Sequence, residues 1–112
     1  MPDAKVDKLL RTAIRQKRLV KLIYHGKPRI IEPHDYGMLN GTVKLLSYQL
    51  AGASRGRLPN WRWIEVDAIA EIDLLQRTFR GGRPTSGGKH HEWDDLYLRV
   101  DPPDEEGGEE ED

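Results

Sequence analysis

Apolar residues near the start of the chain recur at helical spacing. Val6, Leu9, Leu10, Ala13 and Ile14 fall three or four residues apart on one stripe, which predicts an amphipathic helix over residues 4–17. Asp3 and Asp7 stand near its start, while Arg11, Arg15, Lys17 and Arg18 gather toward its end. That order complements the helix dipole, so much of the basic cluster has a structural reason. From Leu19 the pattern changes. Residues 19–24 are rich in β-forming side chains, and His25-Gly26-Lys27-Pro28 supplies a turn. A strand resumes over 29–32, and Pro33 is expected to end it or place it on an edge. Asn40-Gly41 is the strongest hairpin signal and leads into a third strand over 43–50. Residues 52–59 are a loop by composition, and 61–66 a fourth strand. Residues 69–74 read as a fifth strand, although their apolar spacing also suits a short helix.

Short strands with close turn signals argue for one small barrel or sandwich. The expected layout is a domain over 1–80, a Gly-rich flexible linker over 81–89, a docking segment over 90–100 and a disordered acidic tail over 101–112. Trp93, Leu96, Tyr97 and Val100 fit either a helical stripe or a strand, and in both cases the segment should dock on the body.

Composition narrows the function classes. The chain has 112 residues, 37% of them hydrophobic, which suffices for one small core. It has no cysteine, so a disulfide framework, a thiol nucleophile and a sulfur-based zinc site are excluded. No segment has the pattern of a signal peptide or the length of a bilayer span, so a cytoplasmic address without membrane contact is expected. The net charge of −1 conceals a division: residues 101–112 hold eight acidic and no basic side chains. The other 100 residues hold 18 basic and 11 acidic side chains and so carry +7. A basic body of this kind favours anionic partners, and the acidic tail would compete for it or keep the chain soluble.

The order of elements carries a resemblance. A helix ending Ala13-Ile14-Arg15-Gln16-Lys17-Arg18 precedes Val20-Lys21-Leu22-Ile23-Tyr24. There follow Arg29-Ile30-Ile31-Glu32-Pro33-His34, then Leu45-Leu46-Ser47-Tyr48, then Arg62-Trp63-Ile64-Glu65-Val66-Asp67-Ala68-Ile69. Over residues 5–79 this run resembles the WYL domain, a bacterial module of transcription regulators and CRISPR-associated proteins. Two positions depart from the family pattern. The Trp-Tyr-Leu triplet falls at Val43-Lys44-Leu45, and an arginine of the later strand falls at Ala68. The resemblance implies a mainly β fold with an N-terminal α-helix, a small five-stranded SH3/Sm-like barrel, in a stand-alone single-domain form. It implies a regulatory role, sensing a nucleotide or single-stranded nucleic acid and acting on a protein partner, without catalysis and without a cofactor.

The residues themselves supply a matching surface. Tyr24, Tyr48, Trp61 and Trp63 are interleaved with Arg29, Lys44, Arg55, Arg57 and Arg62. Bases stack on aromatic faces while Lys and Arg neutralise phosphates, so this mixture suits single-stranded nucleic acid. Period two places Trp61 and Trp63 on one face and Arg62 on the other. The expected site combines Lys44, Tyr48 and Arg62 with the loop residues Arg55 and Arg57, with Tyr24 and Arg29 beside it and Trp63 in the core. His34, which follows Pro33, joins the set through the resemblance, which puts it at a strand end near the ligand face. An SH3-like peptide groove built from Trp61, Trp63 and Tyr97 is the competing expectation.

Other motifs carry less. Gly52-Ala53-Ser54-Arg55-Gly56 has the Gly-x-Ser-x-Gly pattern of a nucleophile elbow, but a strand and not a helix follows it. An anion nest is the better reading of that loop. His90 and His91 with Glu92, Asp94 and Asp95 include metal-ligand types, yet adjacent histidines do not fix a tetrahedral site, so no metal is expected. Residues 81–89 lack the Gly-Lys-Ser/Thr ending of a phosphate loop.

Overall fold

The computed structural model describes residues 3–84 and 92–103. One helix, α1 (Ala4–Gln16), is followed by β1 (Arg18–Tyr24), β2 (Lys27–Leu39), β3 (Thr42–Gly52), β4 (Asn60–Glu65), a 3-10 turn (Val66–Ala68), β5 (Ile69–Thr78) and β6 (Asp95–Arg99). The predicted stripe is the buried face of α1: Val6, Leu10, Ala13 and Ile14 enter the core. The helix stops at Lys17, whose φ of 55° is left-handed and whose N–H reaches back to the carbonyls of Ala13 and Ile14.

All six strands pair antiparallel in one sheet of order β4-β3-β2-β1-β5, with β6 added along β2. Two tight hairpins set the register. His25 and Gly26 have φ of 52° and 78°, and Asn40 and Gly41 have 53° and 78°. Positive φ at both central residues is what a twisted two-residue turn demands.

Three expectations need correction. The sheet is open: β4 and β5 are its ends and do not pair, so a closed five-stranded SH3/Sm-like barrel is not what the described residues form. The 3-10 turn leads the chain out of β4 into β5, which among the described residues pairs with β1 alone. A sixth strand comes from residues 95–99, which antiparallel pairing with β2 fixes as strand and not helix. Of the two expectations for Pro33, it does not end β2 and lies instead on an unpaired stretch of its edge. The β1 ladder stops at Ile31 and the β6 ladder starts at Asp35, so Pro33 sits in the gap where its missing N–H is not needed.

The core lies between α1 and the inner sheet face, around Leu10, Ile14, Val20, Ile31, Leu45 and Ile64. Tyr36 is fully buried there, and its hydroxyl donates to Asp7 Oδ1 at 2.6 Å, tying β2 to α1. Burial and the Asp7 contact push the Tyr36 phenol far above its ordinary value. Burial also pushes the Asp7 carboxyl up, but hydrogen bonds from Tyr36 and Arg11 outweigh it and hold the group below its usual range.

Residues 81–84, expected to open a flexible linker, are fastened to the body. Gly82 N–H donates to the Asp101 carbonyl at 2.8 Å, and Gly81 is buried against residues 101–103 with a φ of 137°. The rest of the expected linker, residues 85–89, and the tail from 104 onward lie outside the described residues, as do His90 and His91. Among the described residues no helix is long and apolar enough to cross a membrane.

Candidate functional site

Facing residues of neighbouring strands share a side of the sheet, so the register sorts the candidate residues. On the inner side, Arg29 faces Leu22 of β1 and Gly52 of β3, and Arg62 faces the buried Ser47. Arg62 reaches the loop that joins β3 to β4, and Arg29 reaches Gln49 near the end of β3. Arg29 Nη1 lies 3.4 Å from the Gln49 side-chain oxygen, and its guanidinium stands 5.1 Å over the Tyr24 ring. The Gln49 amide donates onward to the carbonyls of Ala51 and Ala53 at 3.1 and 2.9 Å. Arg62 donates to the Ser54 hydroxyl from Nη2 and to the Trp61 carbonyl from Nη1. The loop itself is fixed by Ala53 N–H to the Pro28 carbonyl, and Gly52 turns at a φ of 101° directly above Pro28 and Arg29.

Among the described residues, every side-chain partner of Arg29 and Arg62 is neutral. The Arg29 Nε–H is buried and has no acceptor among the described residues. A buried donor left unmade costs on the order of 1–3 kcal/mol. Arg55 and Arg57 lie exposed in the same loop, flanking Gly56.

The outer side is different. Glu32 faces Tyr48, Tyr48 faces Trp61, Leu46 faces Trp63, and Lys44 faces Glu65. Here two buried carboxylates are matched by arginines from the C-terminal part of the chain. Arg83 donates to both Glu32 oxygens at 2.7 and 2.8 Å, and Arg99 to both Asp35 oxygens at 3.0 and 3.2 Å. Burial pushes Glu32 up, yet hydrogen bonds from Arg83 and His34 hold it below its ordinary value. His34 is buried, 3.2 Å from Glu32, with Trp61 edge-on at 4.8 Å and Phe79 at 5.6 Å. Arg83 stacks 4.2 Å over Tyr48.

The structure therefore divides the predicted residues into two groups. Tyr24, Arg29, Arg55, Arg57 and Arg62 share one end of the inner side and its loop. His34, Lys44 and Tyr48 lie on the outer side, so the expected grouping of Arg62 with Lys44 and Tyr48 does not occur. Tyr24 is 8% exposed, and its hydroxyl accepts the Glu65 N–H at 3.0 Å, joining the end of β1 to that of β4. Trp63, expected in the core, is 37% exposed, with Trp93 at 5.7 Å and the Lys44 ammonium at 6.0 Å. Its face is the outer one because Leu46, its cross-strand partner, also points away from α1. The Ser54 hydroxyl is engaged by Arg62 and by the backbone of Gly56, and β4 follows it.

Arg83, Arg99, Glu32 and Asp35 were not singled out from the sequence. Their only sequence signal is two acids flanking Pro33-His34, close to positions that a buried face would fill.

No protein-family model matches this chain, and no curated protein matches it. Among solved structures, proteasome accessory factor B/C (PafBC) of Arthrobacter aurescens is similar, with a TM-score of 0.58 and 20% sequence identity over 70% of this chain. The similar region spans 13% of the PafBC chain. At that identity the likeness concerns the fold alone, and it supports the WYL-like fold that the order of elements implied.

Proposed function

We propose that this chain is a non-catalytic regulatory module of WYL type whose inner mouth binds the phosphate of a nucleotide or of single-stranded nucleic acid. The observation that carries the reading is the pair Arg29 and Arg62, two guanidiniums at one end of the inner side whose partners among the described residues are all neutral. Guanidinium groups match phosphate oxygens in planar, two-pronged geometry. Arg55 and Arg57 extend the positive surface. The WYL-like fold is consistent with this role, and a protein partner would read the occupied state.

Titration with short single-stranded DNA, RNA and mononucleotides at two salt concentrations tests the reading. Binding should weaken as salt rises, and Arg29→Gln and Arg62→Gln should each reduce affinity by roughly tenfold while flattening the salt dependence. Absence of binding to all of these at low salt would refute it. A second reading, peptide docking on the outer face, is favoured by the exposed Trp63 beside Trp93 and Lys44. Chemical-shift changes at those residues, and none at 52–57, would select it.

A further inference from the structure

The outer side carries a cleft that the mouth site leaves unused. Its volume is about 550 Å³, within the roughly 300–1,000 Å³ typical of small-molecule sites. Leu19, Leu50, Phe79, Pro84 and Pro103 give it apolar walls, and Arg77, Arg80 and Arg83 stand around it. The one carboxylate in its lining, Glu32, has both oxygens bonded by Arg83. Those two charges cancel locally. Arg77 and Arg80 remain, and among the described residues neither has an ion-pair partner.

The walls are held in place before any ligand arrives. Phe79 N–H donates to the Lys17 carbonyl at 2.9 Å, Gly82 is bonded to Asp101, and Lys17 Nζ reaches the Pro102 carbonyl at 3.1 Å. A cavity organised in advance loses less ordering entropy on binding. Its chemistry is also mixed: cations alone would suit a bare inorganic ion, but half of this lining is hydrocarbon.

We propose that this cleft is a second binding site, taking a small organic phosphate whose flat apolar body lies against Phe79 and whose anionic head meets Arg77 and Arg80. It lies on the opposite side of the sheet from Arg29 and Arg62, so the two sites are separable. Phenyl phosphate and inorganic phosphate are the probes, followed by backbone chemical shifts of the full chain.

Phenyl phosphate should bind at least about tenfold more tightly than inorganic phosphate, the gain expected from burying one aromatic ring, with shifts centred on residues 77–84. The Arg77→Gln, Arg80→Gln double variant changes two exposed side chains and should fold normally. It should weaken phenyl phosphate by about tenfold or more, while Lys8→Gln on the exposed face of α1 leaves that affinity unchanged. Equal affinity for the two probes, shifts centred on 52–57, an unaffected double variant or no saturable binding would each overturn the proposal. None of those results would by itself refute oligonucleotide binding on the inner side, which the Arg29→Gln and Arg62→Gln titrations test separately.

Discussion

In the Arg83→Ala variant the Glu32 carboxylate stays in place, 2% exposed, and loses donors at 2.7 and 2.8 Å. Removing one partner of a fully buried ion pair costs about 3–5 kcal/mol. Here the Arg83 side chain is 44% exposed, so water can enter from its side, and His34 still lies 3.2 Å from the carboxylate. Those two features bring the expected loss down to about 2 kcal/mol. For a small domain that corresponds to a fall in Tm of roughly 10 °C. The pH dependence gives a sharper check. Glu32 sits below its ordinary 4.5 in the folded protein, so its pairing adds stability above that value and loses it as pH falls through the folded pKa. Without Arg83, burial dominates and the carboxyl pKa rises. The gap between wild type and variant in urea denaturation should therefore be widest near neutral pH and shrink below about pH 4. A variant within about 0.5 kcal/mol of wild type at neutral pH, or a gap indifferent to pH, would refute the reasoning.

Tyr36→Phe removes the hydroxyl that donates to Asp7, a carboxylate whose side chain is 31% exposed, and should cost about 1–2 kcal/mol. The Asp7 pKa should rise in the same variant, by NMR titration, because one of the two side chains holding it down is gone. Gly37→Ala places a Cβ 2.4 Å from the Asp95 carbonyl and 2.9 Å from Leu96 Cα, so β6 must leave β2. The expected loss is about 1–3 kcal/mol, and faster amide exchange at 95–99 should accompany it. Deleting residues 104–112 removes seven acidic side chains and should tighten oligonucleotide binding, with the gain shrinking as salt rises. Unchanged affinity at low salt would exclude competition by that segment.

Local pattern made much of the fold legible. The stripe from Val6 to Ile14, the β-rich runs and the Asn40-Gly41 turn each rest on interactions within a few residues, and each occurs near its expected place. What sequence could not show depends on distant partners. Period two separated Trp61 from Arg62 correctly, but which of them faces the helix is decided by pairing with β3, where Ser47 is buried and Tyr48 is not. Trp63, expected in the core, is on the outer face because its register partner Leu46 is. Pro33 lies on an edge without ending β2, because β1 and β6 share that edge in succession and leave a gap at its position.

The same sharing explains why the Gly-rich stretch after residue 80 is a poor place to divide the chain. β2 runs from Lys27 to Leu39, and β1 covers only the first part of the edge that it shares with β6. Residues 95–99 cover the rest, and they bring Arg99 to Asp35 just as residues 81–84 bring Arg83 to Glu32. A buried carboxylate is tolerated only with its counter-charge in place. The acids at 32 and 35 and the arginines at 83 and 99 therefore form one structural unit across more than half the chain. In that unit the charges of the outer side are largely occupied in holding the fold, while Arg29 and Arg62 on the inner side hold only neutral groups. That contrast is the ground for proposing the principal anion site on the inner side, although the outer side has more aromatic surface.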